Sequence, residues 1–327
     1  QHLRTPLFKF QSLAVVGERE LRAALAALAG AQIFVVLRHG AVVFNGRTAD
    51  HTPAELAALM TGHEVTLPRN ESGAAESEVI LSARQLRVRG DRGHDALDGL
   101  DLELRAGEIL GLAGVSGNGQ RELADALAGL RRVESGTIHF QGKDVTNRPP
   151  VRMIEAGMGY IPEDRHHEGI VPSFSVKDNL VLKDYDSAKF SFSCFLRLGE
   201  IARNAEALRE SFDIRCPSIS TATGSLSGGN IQKVILAREI ARRPKALVAV
   251  YPTRGVDMGA QEFIHTRLLA HRREGIGILL ISEELEEILN LSDRIAVIYK
   301  GRILKVLPSA GATREQLGLL MAGVVHE

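Results

Sequence analysis

The sequence predicts an α/β fold with a core of parallel strands, an antiparallel β part before it and a mainly helical insertion within it. From residue 246 onward, buried apolar runs alternate with helical patterns, which is typical of a parallel sheet. A buried run at residues 108–114 leads into a glycine-rich turn and then a helical pattern at residues 120–130. Residues 79–88 and 96–105 alternate between apolar and polar side chains, as antiparallel strands do.

Composition limits the possible partners. Hydrophobic residues make up 44% of the 327 residues, which is enough for a substantial core, and 40 basic residues balance 40 acidic ones. This balance gives no electrostatic reason to expect a nucleic acid partner.

Cys194 and Cys216 have no metal-binding spacing, so we interpret them as reduced thiols and predict no metal site. No apolar run reaches the ~18 residues of a membrane-spanning helix.

The chain contains one long internal repeat. Residues 34–62 (FVVLRHGAVVFNGRTADHTPAELAALMTG) align without gaps with residues 295–323 (IAVIYKGRILKVLPSAGATREQLGLLMAG). The unit is too long for a solenoid, so it indicates a duplicated domain that ends in strand, turn, strand and helix. We therefore predict the tail of a first domain at residues 1–65, a polar linker at 66–78 and a second domain at 79–327.

The glycine-rich turn has the frame of a phosphate-binding loop without its charged end. A turn between strand and helix brings backbone N–H groups together at an electropositive helix terminus. The P-loop pattern continues with Lys and then Ser or Thr, whereas this chain has Gln120 and Arg121. A purely structural glycine turn is the alternative. The candidate nucleotide-binding residues of this turn are Gly114, Val115, Ser116, Gly117, Asn118, Gly119, Gln120 and Arg121.

Three further motifs follow the glycine turn in order. The string LSGGN begins a helix, where Ser227 can cap the helix and Gly228 and Gly229 allow backbone to approach an anion. The strings ALVAVYPTRGVDMGA and LLISEELEE come later, and GYIPEDR lies between the first two motifs. Together these strings resemble the ATP-binding cassette (ABC) ATPases. The residues that match the family's signature motif are Leu226, Ser227, Gly228, Gly229 and Asn230.

The resemblance implies an ABC-type P-loop cassette with a RecA-like parallel core, an antiparallel β-subdomain and a helical subdomain at about 165–230. It covers residues 79–327, and its signature motif would contact the γ-phosphate held by an opposite cassette. Asp257 matches the family's D-loop Asp. Besides Gln120 and Arg121, four further positions depart from the pattern. Val250 replaces the Asp that supports Mg²⁺, Tyr251 the Glu that polarises water, Glu283 the switch His and Glu163 the loop Gln.

These departures predict a degenerate site that does not hydrolyse ATP. The lost P-loop Lys, its Ser/Thr neighbour and the strand-end Asp all act on phosphate or Mg²⁺. One charge-assisted hydrogen bond contributes roughly 1.5–3 kcal/mol, which is about 10- to 150-fold in affinity. Replacement of the Lys by Arg121 is the alternative, because a guanidinium binds phosphate well. We do not expect it, because the next helical position points about 100° away. His94 is a poor candidate for stacking on adenine.

The resemblance is strongest to the second cassette of tandem ATP-binding proteins from sugar and nucleoside importers, and among them to the nucleoside branch. It implies a peripheral protein at the cytoplasmic face of the membrane, which couples ATP, with Mg²⁺ at the partner-cassette site, to import. The implied partners are a first cassette, membrane permease subunits and, indirectly, an extracytoplasmic solute-binding protein. A non-catalytic regulatory or scaffolding cassette and a soluble non-transport ABC protein are the alternatives.

One segment has an expected contact with the permease, and a second has such a contact as the lesser of two interpretations. The loop around Glu163 leads into the helical insertion, so we predict that it contacts the membrane-embedded partner. The phenylalanines of the insertion are interpreted as core residues or as subunit contacts: Phe190, Phe192 and Phe195. His166 and His167 have no acidic or Cys neighbour at a metal-binding spacing, so we do not expect them to hold a metal.

Overall fold

The computed structural model of the chain describes residues 34–38, 41–47, 50–52, 55, 58–59, 62, 67–71, 77–91 and 93–324. The chain divides into two compact units, and each is described by itself. The smaller one comprises Gln1–Thr66 with Thr253–Glu262, and the larger one comprises Leu67–Pro252 with Phe263–Glu327. Within the described ranges, no helix has the length and apolar character needed to span a membrane.

The smaller unit contains an antiparallel strand pair, β1 (Phe34–Arg38) and β2 (Ala41–Gly46). The further strands are β3 (Val79–Arg89), β4 (Asp95–Arg105), β5 (Ile109–Ala113), β6 (Ser135–Phe140), β7 (Lys143–Asp144), β8 (Met158–Ile161), β9 (Ser191–Phe192), β10 (Phe195–Leu196), β11 (Ala246–Val250), β12 (Gly277–Ser282), β13 (Arg294–Tyr299) and β14 (Arg302–Pro308). The helices are α1 (Gln120–Leu127), α2 (Pro150–Ala156), α3 (Val176–Val181), α4 (Leu198–Ser211), α5 (Gly228–Ala241), α6 (Met258–Arg273), α7 (Leu285–Leu291) and α8 (Arg314–Met321).

The core of the larger unit is a six-stranded sheet in the order β14-β13-β5-β12-β11-β8. All neighbours from β13 to β8 pair in parallel, and β14 adds an antiparallel edge. Strands β5, β11 and β12 are buried along their whole length, as parallel strands covered on both faces are. The predicted parallel α/β core is therefore confirmed.

A second sheet has the antiparallel order β4-β3-β6-β7. Its inward-facing leucines alternate with exposed polar residues along β3 and β4, which is the pattern that predicted these strands. Leu81, Leu97 and Leu102 of this sheet belong to the same buried cluster as residues of the parallel core. The two sheets therefore share one hydrophobic core.

The insertion is less helical than the sequence analysis predicted. Helices α3 and α4 are present, but a short antiparallel hairpin, β9–β10, separates them. Ser193 in its turn has a φ of 55°, in the left-handed region that a tight turn requires. Phe190 is 4% exposed and packs with Val181 and Ile201, so it fixes the base of the hairpin. A hairpin therefore occupies part of the segment that was predicted to be mainly helical.

Local conformation recurs at the spacing of the sequence repeat. The β1–β2 pairing shifts register after Val36, and the β13–β14 pairing shifts after the aligned Val297. Thr52 accepts a hydrogen bond from the N–H three residues ahead, and the aligned Thr313 does the same to begin α8. The two aligned segments thus share a strand irregularity and a helix-capping contact as well as sequence.

A buried ion pair joins several elements of the larger unit. The Asp293 carboxylate is completely buried and accepts two hydrogen bonds from Arg272, at 2.5 and 2.8 Å. It also accepts the Ile109 N–H at 2.8 Å, at the start of β5, and the Asn70 side-chain amide at 2.9 Å. Asp293 therefore connects α6, β5 and the segment that follows residue 66.

We expect Asp293→Ala to lower the free energy of unfolding by about 3–5 kcal/mol, because it leaves a buried guanidinium and a buried N–H without their partner. Urea denaturation measures the change. The exposed Asp95→Ala is the matched control and should change stability by less than about 0.5 kcal/mol. Equal effects of the two substitutions would contradict the structural role of Asp293.

Candidate nucleotide site and signature loop

The glycine turn connects β5 to α1 and is shaped by close packing. Gly119 has a φ of 103°, and a Cβ there would lie 2.5 Å from the Ala96 carbonyl oxygen. A Cβ at Gly114 would lie 2.6 Å from Ile298 and 2.8 Å from the Gln120 amide nitrogen. Gly117 also has a positive φ, 86°. These positions need glycine for backbone and packing reasons alone.

The side chain of Gln120 closes the turn from within. It is 2% exposed, its Oε1 accepts the Asn118 N–H at 3.0 Å, and its Nε2 donates to the Val115 carbonyl at 2.9 Å. The Asn118 N–H is one of the backbone donors that a phosphate loop would turn toward an anion. A neutral amide therefore takes up a donor of the loop and adds no positive charge.

Asn118 connects the turn to the β13–β14 connection by hydrogen bonds. Its Oδ1 accepts the Lys300 N–H at 2.7 Å, and its carbonyl oxygen accepts the Gly301 N–H at 3.0 Å. Its Nδ2 donates to the Val115 carbonyl at 2.8 Å, the same oxygen that Gln120 reaches. The turn is thus held in shape by hydrogen bonds of its own side chains.

Arg121 points to a neighbouring segment rather than replacing the missing Lys. Its guanidinium pairs with Glu168 at 2.5 Å and lies 3.9 Å from Asp125. Asp125 in turn accepts the Tyr160 hydroxyl at 3.0 Å. Burial lowers the pKa of Arg121, but Glu168 and the other nearby carboxylates raise it more, so the group stays charged within this ion-pair network.

The segment around Glu163 forms a single π-helical turn, Arg165–Gly169, in which Glu168 lies. Asp164 caps this turn by accepting the N–H groups of His166 and His167, each at 2.9 Å. The backbone N–H of His167, its ring and the His166 N–H lower the pKa of Asp164. Glu163 itself is half-buried. No sequence signal indicated the π turn or the partner of Arg121.

The end of β11 provides no ligand for a metal. Val250 is buried in the core. Tyr251 has a φ of 46° and donates its N–H to the Ile281 carbonyl at 2.8 Å. Glu283 is exposed after β12 and would place negative charge beside a phosphate. In the described ranges, no three His, Cys, Asp or Glu side chains are grouped so that they could hold a metal ion. Val250 and Tyr251 thus stand at the strand end without a carboxylate, and Gln120 stands in the turn without a positive charge.

The signature loop places an exposed serine, Ser227, at the start of a helix. Ser227 is the N-cap residue of α5, but its side chain makes no capping hydrogen bond, so that part of the sequence interpretation was wrong. Its Oγ instead accepts a hydrogen bond from Asn230 Nδ2 at 2.9 Å. Leu226 and Gly228 are half-buried beside it, and Gly229 is buried. The hydroxyl lies at the electropositive end of a 14-residue helix.

Asp257 lies in the part of the smaller unit that precedes α6. Its Oδ1 accepts the Ala260 N–H at 2.9 Å and its carbonyl oxygen accepts the Gln261 N–H at 2.9 Å. These contacts begin α6 in the manner of a helix cap, and the Asp257 residue is exposed.

A glycine turn between a buried parallel strand and a helix, followed along the chain by a serine–glycine helix start, defines a nucleotide-binding cassette of the ABC type. Residues 97–253 match the family model described as ABC transporter, so the chain carries an ABC transporter domain. Solved ATP-binding cassettes of ABC transporters share the fold. MJ1267 has a TM-score of 0.62 at 22% identity, covering 75% of this chain and 96% of that chain.

Curated relatives are similar along most of this chain. The glucose import ATP-binding protein TsgD13 of Haloferax volcanii is 46% identical over 88% of this chain and 53% of its own length. The nucleoside import ATP-binding protein NupA of Lactococcus lactis is 43% identical over 88% of this chain and 57% of its own length. The guanosine import ATP-binding protein NupO of Bacillus subtilis is 43% identical over 88% and 56%. The chain thus spans about half the length of the curated relatives it matches.

We expect the isolated chain not to hydrolyse ATP, and Gln120→Lys to improve nucleotide binding modestly without restoring turnover. The Lys supplies one charge-assisted contact, but no Mg²⁺ ligand and no polarising carboxylate return with it. Titration with a fluorescent ATP analogue and a phosphate-release assay measure the two effects. Robust ATPase activity of this single variant would show that the catalytic positions are misassigned.

Proposed function

We propose that this chain is an ATP-binding, energy-coupling part of an ABC importer for nucleosides or sugars. In this proposal its own P-loop site is inactive and its signature motif acts on the nucleotide of a partner cassette. The observation that carries the proposal is the contrast between the two loops. The glycine turn is closed by the buried Gln120 amide, whereas Ser227 is exposed at a helix N-terminus.

The closed turn argues against turnover at the chain's own site. A phosphate entering there would have to displace the Gln120 oxygen from the Asn118 N–H and would meet no cation in return, because Arg121 is paired with Glu168. The strand end offers Val250 and Tyr251 where Mg²⁺ and water need carboxylates. The two defects are independent, so repairing one would leave the other.

The signature loop has the chemistry to stabilise a phosphate from outside. The Ser227 hydroxyl and the backbone N–H groups that open α5 are hydrogen-bond donors at the positive end of the helix dipole. Bound ATP with Mg²⁺ would supply the transferable phosphoryl group and the metal charge at the partner's site. This chain would orient the γ-phosphate and stabilise its charge through fixed donors, which is how preorganised donors lower a barrier.

The internal repeat supports a first cassette as the partner. In this interpretation residues 1–65 are the end of a first cassette, residues 66–78 are a linker and residues 79–327 are the second cassette. The shared register shift and the shared helix-capping contact favour two copies of one domain. TsgD13 and NupA, of which this chain covers about half, have room for two such cassettes.

The hairpin of the insertion fits a permease contact at the cytoplasmic face of the membrane. Phe192 is 70% exposed and Phe195 is 74% exposed, while Phe190 is buried beneath them. Two exposed aromatic rings on one hairpin form an apolar surface of the kind that protein partners cover. The segment at Glu163 leads into the same insertion. A solute-binding protein would act on the permease and not on this chain.

The trans role predicts opposite effects for two substitutions in the complete transporter. Ser227→Ala should lower ATPase activity by roughly 10²–10³-fold, because one oriented donor to developing charge is lost. Ser227→Arg should abolish coupled transport. Gln120→Ala should change ATPase activity little, because its site is already inactive. ATPase and uptake assays on reconstituted protein measure these effects. If Gln120→Ala abolishes activity and the Ser227 variants do not, a purely regulatory or scaffolding cassette or a site in cis is the better explanation.

The permease contact predicts that Phe192→Ser combined with Phe195→Ser weakens assembly with the membrane subunits by at least about tenfold, since two aromatic rings that the permease would cover are removed. Co-purification from detergent at graded concentrations measures this. Val151→Ser, at an exposed apolar position on α2, is the matched control and should leave assembly unchanged. Normal assembly of the double variant would place the permease contact elsewhere.

A further inference from the structure

We infer that Asn230 is a positioning residue that sets the direction in which the Ser227 hydroxyl donates its hydrogen bond. The inference rests on the proposed function, because it concerns how Ser227 is presented to the phosphate of a partner cassette. Asn230 lies three residues after Ser227, on the first turn of α5. Its side chain contacts both Ser227 and the chain segment beside the signature loop.

A backbone N–H fixes the orientation of the Asn230 amide. The Arg215 N–H lies 2.7 Å from Asn230 Oδ1, and an N–H can only donate. The oxygen of the amide must therefore face Arg215, and the NH₂ group must face the other way. That group lies 2.9 Å from Ser227 Oγ, so Ser227 is the acceptor in this contact.

The polarity of this contact determines what the Ser227 hydroxyl can do. A hydroxyl has one proton and two lone pairs, and the Asn230 amide takes up one lone pair. The proton of Ser227 must then point away from Asn230. An N-cap serine commonly accepts an N–H of its own helix, but Ser227 does not, so the backbone donors of the first turn also stay clear of its side chain. The contact therefore excludes the direction toward Asn230 for this proton before any ligand arrives.

The Arg215 N–H orients the Asn230 amide, and the segment that contains Arg215 is itself bound to α5. Lys233, one helical turn beyond Asn230, donates to the Asp213 carbonyl at 2.9 Å and to its carboxylate at 2.7 Å. Partial burial opposes ionisation of Asp213, but the hydrogen bond and charge of Lys233 lower its pKa. Asp213 has a φ of 47°, which turns the chain toward Arg215. Lys233, Asp213, Arg215 and Asn230 thus form one connected support for Ser227.

The first test needs no nucleotide and uses this chain. Hydrogen exchange of the Arg215 amide, followed by NMR, should be about 2- to 10-fold faster in Asn230→Ala, as expected for the loss of one net hydrogen bond. Ser227→Ala should leave the Arg215 amide unchanged but should speed exchange of the Asn230 side-chain NH₂. Unchanged exchange in both variants would overturn the geometry.

The second test measures ATPase activity of the complete transporter. Asn230→Ala should lower kcat about 2- to 10-fold, because the hydroxyl becomes free to rotate. Asn230→Asp should cost more than Asn230→Ala, because its carboxylate accepts the Ser227 proton and reverses the polarity of the contact. Combined with Ser227→Ala, Asn230→Ala should cost less than about twofold, since its effect acts through the missing hydroxyl. Asn45 lies at an exposed position on β2, so Asn45→Ala is the control for an Asn-to-Ala substitution away from the signature loop.

The outcomes separate the inference from the proposed function. If Ser227→Ala leaves ATPase activity unchanged, the trans role fails and the inference fails with it. If Ser227→Ala lowers activity but Asn230→Ala does not, or if the two effects are fully additive, only the inference fails. A change in KM alone for Asn230→Ala would indicate a contribution to ground-state binding and would also overturn a role in directing the proton.

Discussion

The hydrogen bonds that the Gln120 amide makes across the glycine turn determine what the rest of this site can do. Oε1 accepts the Asn118 N–H and Nε2 donates to the Val115 carbonyl, so one backbone donor and one backbone acceptor of the loop are paired within it. An anion would have to break these contacts and would gain no cation, so the loop favours its closed form. Arg121 is then available to pair with Glu168. In the proposed function, this charged pair beside the turn supports structure and does not bind a phosphate.

The signature loop also contains a bridging side-chain amide, but this amide orients a donor and does not occupy one. Asn230 also carries an amide that bridges a backbone group and a neighbouring residue, but here the bridge holds a side-chain hydroxyl at the surface. In the glycine turn the amide consumes a donor, whereas at the signature loop it orients one. In the proposed function, such a cassette binds its own nucleotide weakly and presents an oriented donor to the nucleotide of a partner. This asymmetry is the physical basis of the proposed trans role.

Much of the fold followed from local pattern, because buried apolar runs such as residues 246–250 have few alternatives to a core strand. The missing Lys and carboxylates were also readable from the sequence. The partner of Arg121 was not, since Glu168 is 47 residues away and no local pattern connects them. The capping role of Ser227 was predicted wrongly, because a side-chain contact three residues ahead competes with the backbone. The hairpin at Phe192 was missed because its strands have two residues each.

The glycines of the turn are weak indicators of phosphate binding in this fold. Gly119 must approach the Ala96 carbonyl, and Gly114 must leave room for Ile298 and Gln120, whether or not a ligand is bound. Packing of the antiparallel sheet against the parallel core thus requires the glycine frame by itself. A loop can therefore lose its nucleotide chemistry while its shape is retained. The residue that closes this loop, Gln120, and the hydroxyl left exposed at Ser227 distinguish the two roles, and both are side-chain properties that the glycine pattern does not contain.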